Sequence, residues 1–290
     1  MKQFKGLVKK EWNTYKSIFL WPIWLTASFY AMIISVSIYG YIKNNFVLNF
    51  PSNFDISKAN LFFYFSSKIM TIIPFALMVL FLLKIINNMM NDDFKNKCAI
   101  FHLAQPVSLT KIIGAKLFLL LAGGLTIPFG IALFNQIVYS TLFKYYVNAN
   151  VKYGFLALLQ CTLIVLLPML FVITFKMMCD TIFQKKNQLV VAVIFLIEMV
   201  IKIVNAVWKI HLPSLIGNIV NLIIGKTIVY PYSMDKINNQ IISGGEFTLL
   251  RQSIEGMLIN LFDPINLWRI ALSVLFIIIT YYVYKQREIA

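Results

Sequence analysis

Two ionisable residues four positions apart inside one apolar run are where chemistry would first be sought in this chain. Glu198 and Lys202 fall in the stretch from about Gln188 to Trp208. Acid before base at i,i+4 is the favourable order for an ion pair on a helix. At about 1.5 Å per residue, Glu198 lies about 15 Å into that run. An unpaired charge at that depth costs about 3 kcal/mol or more. Such a pair either faces a polar cavity or partner on a transport path, or neutralises itself between helices. Asn135, Gln136, Gln160 and Asn205 are further polar side chains within apolar runs. Side chains of this kind join neighbouring helices or line a path. With Glu198 and Lys202 they form the candidate path set.

Other chemistry lacks its parts. Gly225-Lys226-Thr227 resembles the end of a phosphate-binding loop, but Val220 stands where the first glycine is required. His102 and His211 fall on opposite sides of the expected membrane, so they cannot share a metal or supply a clustered ligand set. Neither histidine lies in a recognisable hydrolase motif. Three cysteines are too few for a disulfide framework. The chain is therefore expected to carry no catalytic residue, no metal and no cofactor, and not to be an enzyme by itself.

The elements that must position these residues follow from composition. Apolar residues make up 60% of the 290 and charged residues only 13%, with a mean hydropathy of +0.78. Soluble domains run nearer half apolar and a quarter charged, so an ordinary globular enzyme is excluded. The balance of 26 Lys+Arg against 11 Asp+Glu gives +15. The lysines cluster in short segments beside apolar runs, where they set membrane orientation, so nucleic acid is not the expected partner. The fold expected is an all-α integral membrane protein, one transmembrane domain over residues 1–290. Spanning takes about 20 apolar residues. Six runs qualify: Ile18–Ile42, Lys68–Asn87, Leu117–Phe143, Tyr153–Phe175, Gln188–Trp208 and Pro264–Tyr284. Lys68 and Lys84, near the ends of the second, are placed to snorkel outward.

Between the spans, residues 1–17 read as an interfacial helix, with Phe4, Leu7, Val8, Trp12 and Tyr15 on one side and Lys2, Lys5, Lys9, Lys10, Asn13 and Lys16 on the other. Residues 209–263 form a long external loop before the last span. Within it, 213–229 is expected to be re-entrant or interfacial rather than a seventh span. An amphipathic helix is expected from about 246 to 261, opened by a capping box at Ser243 and Glu246. Lysines are densest at the N-terminus, in 91–116, after span four and at the C-terminus. Both termini are therefore expected in the cytoplasm of a multi-pass cell-membrane protein.

Segment 91–116 is the most specific. Asp92 and Asp93 suit a helix start, and Pro106 stops the helix near Ala104. Ser108 or Thr110 is then placed to cap the next helix. This order resembles the permease subunits of ABC-2-type exporters. In that family an acidic residue, a leucine-rich turn, Pro-Val/Ile-Ser and a lysine at the head of the third span follow one another. The matching residues are Asp93, Leu103, Pro106-Val107-Ser108 and Lys116, and the likeness extends to Lys10-Glu11-Trp12 near the N-terminus. The chain departs from the family at Lys97-Cys98, where Gly-Thr is usual, and at His102, where leucine is usual.

The resemblance implies a coupling loop in which Asp93, Phe94, Lys97, Phe101, His102, Leu103 and Pro106 dock on a separate ATP-binding cassette ATPase carrying ATP and Mg. Asp180 to Lys186 would be a second cytoplasmic contact. It also implies a second permease, identical or not, and export of hydrophobic or amphipathic substrates such as a peptide toxin, antimicrobial peptide or drug. The Lys-, Ile- and Asn-rich composition is similar to Gram-positive members that export phenol-soluble modulins or confer bacteriocin immunity. Two other readings remain: an ion-coupled transporter using Glu198, and a membrane sensor or scaffold that does not transport.

Overall fold

In hydrocarbon every backbone N–H and C=O must be bonded within the protein, so long apolar runs can only be helices or closed barrels. The computed structural model describes residues 2–42, 56–95, 108–147, 149–183, 194, 196–202, 205, 213–224 and 262–289. Six helices follow in order: α1 Lys2–Ile42, α2 Ile56–Lys95, α3 Leu109–Val147, α4 Val151–Phe183, α5 Leu215–Ile224 and α6 Pro264–Ile289. Residues 196–202 are also helical, and no strand occurs among the described residues. Five helices, α1 to α4 and α6, are long and apolar enough to cross a membrane. The architecture is that of an all-helical membrane protein.

The helices outrun the spans read from hydropathy. The 40 residues of α2 extend about 60 Å, twice the hydrocarbon thickness. Residues 3–16, expected to be an interfacial helix, form the first third of an unbroken 41-residue α1. Most of the fifth expected span, 188–208, lies outside the described residues. So do the expected helix at 246–261 and residues 225–229. Of the 213–229 stretch, α5 accounts for ten residues, or about 15 Å, which is half a crossing. The Ser108 backbone carbonyl accepts the amides of Lys111 and Ile112 at the start of α3. Asp263 caps α6 through Ile265 N to Asp263 Oδ1 at 3.0 Å, with Pro264 at the first helical position.

At the centre, α4 packs most extensively on α2 and α6 and also touches α3 and α5. Along α3, α1 runs parallel: Glu11 meets Lys116, Phe19 lies over Gly123, and Tyr30 bonds Asn135. The bundle is apolar outside, with Trp24, Phe29, Met32, Leu80, Trp268 and Ile278 exposed. Its buried seams are partly polar. On α6 the buried polar residues Asn266, Arg269, Ser273 and Thr280 recur at helical spacing. Lipid offers no solvation to such groups, so the polar face turns inward and fixes which sides of the helices meet.

One seam shows how tight this packing is. Gln136 on α3 donates from Nε2 to Ser67 Oγ at 3.2 Å and Ser140 Oγ at 3.0 Å. A Cβ added at Gly154 would overlap Gln136 Nε2 and stand 2.8 Å from Phe63 Cζ, whereas one at Gly130 would meet nothing within 4 Å. Gly154→Ala should therefore displace the amide and lower the melting temperature in detergent, at a cost of about 1–3 kcal/mol. Gly130→Ala should leave melting unchanged or raise it, because alanine is the better helix former by about 0.5–1 kcal/mol.

Candidate functional site

Two clusters bring ionisable side chains together, one at each end of the bundle. The first lies at the end where α1 begins. Lys116, seven residues into α3, is 1% exposed. Its Nζ donates to the Met89 carbonyl of α2 at 2.6 Å and stands 3.6 Å from Glu11 Oε1 of α1. Glu11 is itself only 9% exposed. One ammonium therefore holds three helices, and the apolar side chains of Tyr15, Phe19, Ile86, Met89, Ile113 and Leu120 close around it. Lys111 Nζ donates to Gln3 Oε1 at 3.0 Å, and Phe4 packs edge-on to Phe118 at 6.0 Å. These contacts hold the start of α1 along the start of α3.

The same end holds more polar groups. Asn91 donates to the Asn87 carbonyl and side chain at 2.8 and 2.9 Å. On α4, Lys176 pairs with Asp180. Asp180, expected to begin a second cytoplasmic contact, is buried; Lys185 and Lys186 lie outside the described residues. Asp93 and Phe94 fall in the last turn of α2. Lys97, Phe101, His102, Leu103 and Pro106 lie outside the described residues. The Met89 carbonyl that Lys116 holds is one turn before Asp93.

The second cluster surrounds α5. Ser214 precedes the helix and accepts the Gly217 amide at 2.9 Å through its hydroxyl oxygen, as an N-cap does. That hydroxyl donates in turn to Glu198 Oε1 at 2.7 Å, and the Ile216 amide donates to Glu198 Oε2 at 3.1 Å. At the other end, Arg269 of α6 donates from Nε to the Leu222 carbonyl at 2.6 Å and from Nη1 to Asn266 Oδ1 at 2.5 Å. Glu198 is 5% exposed and Arg269 1%. Each satisfies backbone groups that a helix terminus leaves open. The anion sits at the positive end and the cation at the negative end, an arrangement worth up to about 2 kcal/mol per end when partly buried.

The candidate path residues are not gathered into one cavity among the described residues. Asn135 accepts the Tyr30 hydroxyl at 2.9 Å on the α1 side of α3, while Gln136 faces α2 and α4. Gln160 of α4 accepts from Tyr64 of α2. Gln136 Oε1 and Gln160 Nε2 are buried without a hydrogen-bond partner. Glu198 engages α5, Lys202 is exposed and Asn205 half-buried. Lys68 does not snorkel outward: it is buried in the α2 seam with its ammonium 4.4 Å from the Tyr64 ring centre, a cation–π contact strengthened by desolvation. Lys84 is exposed.

Sequence reasoning passed over Glu11 as an anchor and Arg269 altogether. Both carried a signal. Glu11 stands in the stripe Phe4, Val8, Glu11, Tyr15, at the spacing of the buried side, and Arg269 is a charge five residues inside an apolar run. Among the described residues no group of three or more His, Cys, Asp or Glu could hold a metal.

The Lys116 junction yields a direct test. Lys116→Met should lose about 3–5 kcal/mol, because it leaves Glu11 buried without its cation. Glu11→Gln in the same chain should recover much of that loss in detergent melting curves. Simple addition of the two single losses would show that the carboxylate and ammonium are not coupled.

Comparison with protein-family models, with curated proteins and with solved structures finds no match to this chain.

Proposed function

We propose that this chain is the permease subunit of an ATP-driven exporter of the ABC-2 kind, moving hydrophobic or amphipathic molecules out of the cell. The observation that carries this reading is the Lys116 junction. The motif lysine at the head of α3 is bound to the Met89 carbonyl, one turn before Asp93, and to Glu11 of α1. A push on the 92–106 loop thus reaches three membrane helices through one buried cation. That is the mechanical requirement of a permease driven by a partner from below.

In this reading ATP and Mg belong to a separate ATP-binding cassette subunit that docks on Asp93, Phe94, Lys97, Phe101, His102, Leu103 and Pro106. A second permease completes the transport path, and the ends of the chain face the cytoplasm. The five apolar helices long enough to cross a membrane support a multi-pass layout, and a further crossing at the expected span 188–208 would complete the six. The buried polar seam of Tyr64, Ser67, Lys68, Gln136 and Gln160 holds α2, α3 and α4 together, so the path is assigned to the interface with the second permease. The exporter reading is preferred to the ion-coupled one because the Glu198 carboxylate, which an ion-coupled transporter would need to load and unload, is engaged by Ser214 and the α5 amide.

Purification of the tagged chain from its native membrane in mild detergent should bring down an ATP-binding cassette ATPase in stoichiometric amount. Replacement of Phe94 and Phe101 by aspartate should remove the ATPase while leaving the permease folded. Repeated recovery of folded permease without any ATPase would refute the proposal.

A further inference from the structure

Glu11 is the one acidic residue in α1 and α3 together, and it is buried against Lys116. The outer side of this helix pair therefore carries only positive charge where the two helices begin. Lys5, Lys9, Lys10 and Lys16 of α1 and Lys111 of α3 are exposed there. Along α1, Lys9 and Lys16 share a face with Ile23 and Tyr30, since seven residues make close to two helical turns. On that face the helices part. Phe19 lies over Gly123, and further along Tyr30 bonds Asn135. Between these two contacts runs an apolar groove of about 510 Å³, lined by Ile23, Ala27 and Tyr30 of α1 and by Ile127, Gly130 and Phe134 of α3. A Cβ at Gly130 would meet nothing within 4 Å. Ala27, Gly130 and Phe134 are exposed, so the groove is open along its side.

We propose that this face binds one anionic phospholipid of the leaflet at the α1 start, with an acyl chain in the α1–α3 groove and the phosphate on Lys16 and Lys9. The lengths agree. From Phe19 to Tyr30 the helix rises about 16 Å, close to the roughly 15 Å of hydrocarbon in one leaflet. Lys16 stands about 10 Å before Ile23, where a headgroup follows its chain, and Trp21 just beyond it is exposed as tryptophans at the headgroup level are. Acyl chains touch every lipid-facing helix, but a bound lipid needs both a recess for the chain and charge that selects the headgroup. Basic residues at a membrane surface supply that selection. Burial of Glu11 preserves it, because an exposed carboxylate one turn from Lys16 would offset part of the charge. A second copy of the chain fits the face less well, since a two-fold contact there would set lysine against lysine. The inference rests on α1 and α3 being membrane helices and not on the exporter reading.

Native mass spectrometry of the full chain in mild detergent, titrated with dioleoyl phosphatidylglycerol or dioleoyl phosphatidylcholine, counts bound lipids and gives their affinities. The first phosphatidylglycerol should bind roughly tenfold more tightly than the first phosphatidylcholine. Lys9→Gln combined with Lys16→Gln should abolish that preference. Lys152→Gln, exposed at the opposite end of the bundle, should preserve it. Gly130→Leu fills the groove where there is room for a side chain and should weaken both lipids severalfold. If that variant fails to accumulate, Ala27→Leu fills the same groove from α1. Equal affinities for the two lipids in the unaltered chain, or an undiminished preference in the double lysine variant, would overturn the site. So would a filled groove that binds phosphatidylglycerol as tightly as before, since the headgroup would then be held by surface charge alone. The titration needs neither ATPase nor cargo, so its outcome is separate from that for the exporter reading.

Discussion

A charge buried in an apolar interior has to be met by another group of the same protein, and Lys116 shows what that requirement builds. Its ammonium is held by a carbonyl of α2 and a carboxylate of α1, so three helices converge on it. None of the three could shift alone without exposing an unpaired ion to a medium that penalises it by several kcal/mol. Dispersion contacts among Phe19, Ile86, Met89 and Leu120 add packing but little direction, since lipid tails offer the same contacts. The polar tie decides which faces of the helices meet. The same logic recurs in the α2–α3–α4 seam at Gln136 and Tyr64, and along the polar stripe of α6.

The two ends of the bundle use buried charge differently. Around Lys116 the ion pair joins long helices that extend the full depth of the protein, which makes a stiff joint. Around α5 the charges address the ends of a short helix through its own dipole and unsatisfied backbone groups. The first kind of joint binds long helices to one another; the second anchors a helix about half the bilayer in length. Both are built from the chain's scarce charged side chains.

Much of the helical layout was legible in the sequence because hydropathy is local: twenty apolar residues with no charge have few alternatives. The helix limits were less legible. Hydropathy reports where lipid ends and not where a helix does, so Lys68, read as a span end, is a buried residue twelve positions inside α2. The amphipathic start of the chain was read as a surface helix from its five apolar positions. What its sequence could not display is the partner for Glu11, which lies 105 residues away on α3. Glu198 stood out as a charge within an apolar run, but its partners come from residues 214 and 216, beyond that run. The i,i+4 lysine, the obvious local answer, is exposed. Arg269 went unread because no acid stands one turn from it; its partners are the Asn266 side chain and the Leu222 carbonyl, and a backbone partner is one that residue identities do not reveal.

Stiff coupling of α1, α2 and α3 through one ammonium is the central claim, and it concerns distant segments responding together. Hydrogen–deuterium exchange of the detergent-purified chain, followed on peptides covering 2–20, 85–95 and 109–120, measures that directly. Replacing Lys116 by methionine should raise exchange in all three segments by a common factor, since they share one tie. A rise confined to 109–120, with α1 and the end of α2 as protected as before, would contradict the account.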